Sequence, residues 1–310
     1  MKKKIIIALL CSIIVISLIG CGNSSTSKKS NSSKHKTEST NTTNKKDSND
    51  KNKIGEPPST TDIVETGDYS FDKGAGKIGS YKGNDVDVVI PSEIEGVKVT
   101  CIAMNAFQRK QDLIQSVTIP EGVTYIGESA FLDCKYLKSV TIPDSLLGIG
   151  PQAFSYCENL EKIELHNGLI SIGRFAFSDC DQLKSVKIPD SVTTIEESAF
   201  AGCIRLTSVT LSEGMTSIEH NVFGMTDLES VTIPSSITTI KDKAFSDCSR
   251  LKNVTIPSSV TSIGTDAFSG RGVGDVVFEV ANEEQKEKLL NSCTVTGTKM
   301  RVNESNVHIK

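Results

Sequence analysis

Five of the chain's nine cysteines, Cys134, Cys157, Cys180, Cys203 and Cys248, are separated by 23, 23, 23 and 45 residues. Thiols at a constant interval can hold a metal, close a chain of disulfides, or pack as small hydrophobes. A thiolate metal site takes Cys-x-x-Cys pairs or histidines at ligand spacing, and neither accompanies these cysteines. Setting aside Cys11 and Cys21 near the N-terminus leaves seven, an odd number that cannot pair completely within the chain. If the interval reflects stacked coils, neighbouring side chains lie ~4.8 Å apart and parallel. That is a little beyond the ~3.5–4.5 Å between Cβ atoms that a relaxed disulfide takes. The favoured reading is a structural ladder of buried thiols. Cys101 and Cys293 lie outside the interval and receive no assignment.

The remaining chemistry is sparse. His35, His166, His220 and His308 are isolated from one another. No HExxH, G-x-S-x-G or phosphate-loop pattern occurs. The acidic residues are scattered over turns, where solvation accounts for them. Neither catalysis nor a cofactor or metal is expected.

What positions the thiols is a repeat. Phe107, Phe131, Phe154, Phe177, Phe200, Phe223, Phe245 and Phe268 are 22 to 24 residues apart. This period is too short for a propeller blade, which takes roughly 40 residues, and fits one coil of a solenoid at ~20–29. In "YLKSVTIPDSLLGIGPQAFSYC", Leu137, Val140 and Ile142 face inward from a short strand. Pro143 then ends the ladder, having no N–H to donate. Leu146 and Ile149 turn back toward the core, and Ala153-Phe154 close the coil. Stacked coils bury what one coil cannot. Gly127, Gly150, Gly173 and Gly264 share a slot with Glu196, Glu219 and Lys241, so the slot reads as a surface position that needs no positive φ. Leu165-His166 and Leu211-Ser212 stand where Ile-Pro is usual, and those corners are expected to turn less sharply.

The phrase "LKSVTIPDS…IG…AF..C" resembles the BspA-type leucine-rich repeat of bacterial surface proteins, over about residues 80–275. The resemblance implies a repeat solenoid of coils of about 23 residues, mainly short β-strands and turns with terminal caps, used for binding and not for catalysis.

The ends divide the rest. "MKKKIIIALLCSIIVISLIGCG" has the three lysines and apolar run of a secretory leader. Its Leu18-Ile19-Gly20-Cys21 is similar to a bacterial lipobox, which implies cleavage after residue 20 and lipidation of Cys21. The expected organisation is a signal peptide at 1–20, the lipidated Cys21 with a disordered Ser/Thr/Asn/Lys-rich tether over 21–65, an N-terminal cap coil at 66–107, the solenoid at 108–275 and a C-terminal strand-helix cap at 276–310. The tether's composition cannot bury enough apolar surface to fold. In the C-terminal cap, Asn282 and Gln285 have capping-box spacing, and Leu289 and Leu290 are expected to lie over the last coil.

The whole chain carries −4. With three leader lysines and a +4 stretch at 22–60 set aside, residues 61–310 carry −11. Such a field repels polyanions, so nucleic acid is not an expected partner. The candidate binding surface is the outward face of the main strand, with Thr141, Glu164, Lys187, Thr210 and Thr232 in one slot and Lys162 beside it. This strip is hydroxyl-rich and lacks the aromatic anchors of tight interfaces. The expected partner is an extracellular protein or glycan, bound with avidity from repetition. The expected location is the extracytoplasmic face of a bacterial membrane, held by the Cys21 lipid and exposed at the cell surface. A structural envelope scaffold is the alternative.

Overall fold

The computed structural model describes residues 54–270, 277–292, 305 and 307–310, which belong to one compact unit. The leader, Cys21, residues 22–53 and Cys293 lie outside the described residues. Among the described residues, no helix is long and apolar enough to cross a membrane.

The chain coils as a β-solenoid with a repeat of about 23 residues. Its first ribbon is built by the Ser-Val-Thr strands. Ser116–Thr118, Ser139–Thr141 and Lys162–Ile163 pair in parallel, with Val117, Val140 and Ile163 in register. Ser185–Lys187 pairs with Ser208–Thr210, and Ser230–Thr232 with Asn253–Ile256, in the same way. A second parallel ribbon joins Tyr125–Ile126, Gly148–Ile149, Ser171–Ile172 and Thr194–Ile195. Alternation sends valine and isoleucine inward and serine and threonine outward. The strand at Leu165-His166 stops at Ile163, one residue short of its neighbours.

The third wall has the most unusual backbone. Two positions per coil take left-handed dihedrals. One precedes the Ala-Phe pair, as in Ser129, Gln152 and Phe175; the other falls two residues after the Phe, as in Asp133, Tyr156 and Asp179. Non-glycine residues adopt this region at a cost of about 1–2 kcal/mol. The return is a ladder between coils: the N–H groups of Ser129, Phe131 and Asp133 donate to Pro151, Ala153 and Ser155 oxygens at 2.8–2.9 Å. The same three-bond pattern recurs in the following coils.

Inside this wall the phenylalanines form a spine. From Phe107 to Phe268, successive ring centroids are 4.5–5.7 Å apart and nearly parallel. Tyr81 stacks on the first ring, and Phe278 meets the last edge-on.

The four repeat glycines correct the sequence reading in one respect. None has positive φ, as expected, and Glu196 and Lys241 in the same slot are exposed, but at Gly127, Gly150 and Gly173 the slot is buried against neighbouring backbone. A Cβ at Gly127 would lie 2.5 Å from Met104 N, and one at Gly150 would lie 2.8 Å from Ile126 O. Glycine is there for close approach of backbones. In the coil that carries Glu196 instead, its carboxylate accepts the Arg174 N–H at 2.9 Å.

Both ends are covered. At the start, Ile63–Thr66, Tyr69–Asp72 and Lys77–Tyr81 form an antiparallel sheet edge that continues the second ribbon. The expected tether through residue 65 is therefore too long: residues 54–65 are part of the folded unit. The reason is a buried cation. Lys77 Nζ donates to Glu56 Oε1 at 3.0 Å, Pro57 O at 3.0 Å and Ser59 Oγ at 2.8 Å, and the Thr60 N–H donates to Asp72 Oδ2 at 2.6 Å. At the other end, Val277–Val280 extends the first ribbon and Val307–Ile309 pairs with it. The helix Glu283–Ser292 begins with Asn282 Oδ1 accepting the Gln285 N–H at 2.9 Å. The Gln285 side chain reaches back to the Ala281 N–H and also donates to Val260 O. Leu289 is fully buried.

Candidate binding ribbon

The outward face of the first ribbon is flat because each coil contributes the same short strand in the same register. Thr141, Thr210 and Thr232 are exposed on it; Val140 and Val231 beside them are buried and Val209 is partly buried. Lys162, Glu164 and Lys187 are exposed as well. They do not form one cluster. Lys162 and Glu164 are ion-paired two residues apart, and the Lys162 ammonium holds the Glu164 carboxyl below the usual carboxylate range. Lys187 lies in the next coil, across a break in the ladder between Lys162–Ile163 and Ser185–Lys187. His166 Nδ1 is 3.2 Å from Asp144 Oδ1 at the neighbouring corner.

The five interval cysteines are all fully buried and free of disulfides. Cys157, Cys180, Cys203 and Cys248 donate from Sγ to the carbonyls of Phe131, Phe154, Phe177 and Phe223 at 3.1–3.3 Å. Thr226 fills the same slot in its own coil and donates to Phe223 O at 2.9 Å. Burial pushes the Cys134 thiol up to about 12 and the Cys157 and Cys180 thiols well above the ordinary value. Cys101 is also buried, on the second ribbon, and is pushed up to about 12 by burial and then by Glu56. Protonated, enclosed thiols are neither nucleophiles nor metal ligands. Among the described residues no group of three or more His, Cys, Asp or Glu is placed to hold a metal.

Two features escaped the sequence reading. One is a shallow cavity of about 390 Å³ at the leading edge of the ribbon, lined by Lys184, Arg205, Thr207, Asp227 and Arg250. These residues are 20 or more apart or two apart in sequence and meet only when coils stack. Only the slot numbering of a full repeat alignment would have revealed them. The other is a cavity of about 320 Å³ between the second ribbon and residues 56–59, lined by Lys77, Met104 and Tyr125 among others.

The BspA type leucine rich repeat region, in six copies, matches residues 100–196 and 170–296. The chain belongs to this family. It is similar to a leucine-rich repeat protein from Bacteroides ovatus, with 28% identity over 72% of this chain and a TM-score of 0.58. This chain spans 64% of the length of that one, under two thirds. A leucine-rich repeat protein of T. pallidum is 27% identical over 66% of this chain and 82% of its own, with a TM-score of 0.48. A leucine rich cell surface protein from Faecalibacterium prausnitzii is 23% identical over 76% of this chain and 98% of its own, with a TM-score of 0.32. No curated protein matches the chain.

Proposed function

We propose that the chain is a lipid-anchored bacterial surface protein that binds an extracellular protein or glycan through its first ribbon, without catalysis. The observation that carries this reading is the register of that ribbon. Ser139, Val140 and Thr141 stand directly beside Ser116, Val117 and Thr118, so outward hydroxyls recur at the coil spacing while the valines hold the strand rigid. A rigid, repeated, aromatic-poor face gives little affinity per coil and gains it by engaging several coils at once. Membrane attachment through Cys21 rests on the lipobox resemblance.

The first test is surface accessibility. Intact cells are shaved with a protease, with Cys21→Ala as the anchoring control. Cutting of the repeat unit before lysis supports exposure to external partners. The second test presents the full chain to arrayed glycans and extracellular proteins. A Thr141→Glu/Thr210→Glu/Thr232→Glu variant should lose binding by tenfold or more while keeping its thermal midpoint, because all three side chains point into solvent. Unchanged binding would remove the ribbon from the reading.

An envelope scaffold is the second reading, and one observation favours it. Residues 54–65 belong to the folded unit, so no more than residues 22–53 separate it from Cys21. Protection of the repeats until the wall is removed would select this reading.

A further inference from the structure

The leading edge of the first ribbon is basic within an otherwise acidic domain. Lys184, Arg205 and Arg250 line its cavity, with Lys187 and Lys252 on the same coils. Against these five stand Asp181, Asp227 and Glu229 from the same stretch, and Glu161 on the coil before it. The cations are not equally compensated. Arg250 pairs with Glu229 and lies 3.9 Å from Asp227. Lys184 lies 3.8 Å from Glu161, and both are largely exposed. Arg205 Nη1 donates to the Gln182 amide oxygen at 2.7 Å, a neutral partner. Among the described residues, no carboxylate lies within ion-pair distance of Arg205 or Lys187. Arg205 therefore carries a positive charge that no described carboxylate neutralises at ion-pair distance, although Asp227 shares the cavity lining.

We infer that this edge binds an anionic polysaccharide. Its carboxylates or sulfates meet Arg205, Lys184 and Arg250, and its hydroxyls meet Ser185, Ser208 and Thr210 on the adjoining strands. The inference rests on the ribbon being the binding face and names the chemistry of its ligand. Three physical arguments select this class. Coils stack at ~4.8 Å, so charges and hydroxyls repeat along the solenoid axis, which suits a linear polymer. The cavity lining holds no aromatic or aliphatic side chain to anchor a peptide. Duplex nucleic acid, with one phosphate per ~1.7 Å of its axis, brings more negative charge against Asp227 and its neighbours than the cavity's three cations offset. A sparser polyanion meets the local cations first, because salt screens the distant charges within about 8–10 Å.

The experiment measures binding of the full chain, in nonionic detergent, to polygalacturonate, to the same polymer after carboxyl reduction, to polyglutamate and to duplex DNA. Polygalacturonate should bind with an affinity that falls as salt rises, and the reduced polymer should bind at least tenfold more weakly. Lys184→Gln/Arg205→Gln should remove that preference, while Lys138→Gln, in the Lys184 slot two coils away, should keep it. Equal binding of charged and reduced polymers would overturn the inference while leaving a glycan-binding ribbon. Tighter binding of DNA or polyglutamate, or of no polyanion at all, would also overturn it. The ribbon reading itself fails only if the triple threonine variant retains every ligand.

Discussion

The Cys203 sulfhydryl lies 3.1 Å from the carbonyl oxygen of Phe177, a residue 26 positions earlier and one coil away. The same bond recurs at Cys157, Cys180 and Cys248 and places a weak donor against a buried acceptor in each of those coils. Thr226 stands in the same slot with a different partner, its hydroxyl donating to the Phe223 carbonyl three residues earlier in its own coil, so a hydroxyl there is satisfied without the inter-coil bond.

Cys203→Thr should therefore change stability by less than about 1 kcal/mol. Cys203→Ala, which removes the donor and leaves a small void, should cost about 1–2 kcal/mol. Urea denaturation of the two variants checks the order. Equal loss in both would show that packing alone matters in the slot.

The same burial predicts a pH dependence. The folded-state pKa of the Cys134 and Cys101 thiols is about 12, above the ordinary value near 9. A group raised in the folded state contributes fully below its unfolded pKa, and that contribution is lost as pH rises toward the folded pKa. Stability should thus be flat up to about pH 8.5 and fall between about pH 9 and 12. At pH 8 the six described thiols should resist alkylation in the folded protein and react when it is unfolded. Rapid alkylation of any of them under native conditions would contradict their enclosure.

The phenylalanine spine should be the most sensitive element. Phe177 has a ring stacked on each side, at 5.3 and 5.2 Å. Phe177→Ala should cost about 3–5 kcal/mol, and Phe177→Leu appreciably less. A thermal or urea series along the spine measures the difference. A loss below about 1 kcal/mol for Phe177→Ala would mean that neighbouring coils collapse to fill the space.

The spine and the inward valines were legible in the sequence because they recur with the period and keep one chemical type. The third wall was not. Its left-handed positions hold Asn105, Ser129, Gln152, Phe175, Lys243 and Asp266, which share no propensity. What selects that backbone is the ladder to the next coil, and the ladder exists only after stacking. The glycine slot was only half legible for a related reason. Gly150 and Glu196 occupy the same place in the repeat, yet only the structure shows backbone 2.8 Å from where a Gly150 Cβ would be. Gly150→Ala should accordingly destabilise by about 1–3 kcal/mol, whereas Glu196→Gly should lose only its bond to the Arg174 N–H.

The segment Glu56-Pro57-Pro58-Ser59 reads as linker by composition, and the residue that makes it structure is Lys77. Its side chain is 4% exposed and makes three bonds to that segment. Glu56 also accepts the Met104 N–H at 2.9 Å, so the segment bridges two coils. Removing the ammonium leaves the Glu56 carboxylate, itself partly exposed, free to return to water. Lys77→Met keeps the aliphatic stem and should therefore release residues 54–60 without unfolding the coils behind them. Limited proteolysis should cut the variant near residue 60 at least tenfold faster than the parent chain, with little change in the main thermal transition. A matching loss of the main transition would instead make Lys77 part of the solenoid's own core, with the segment as a passive cover.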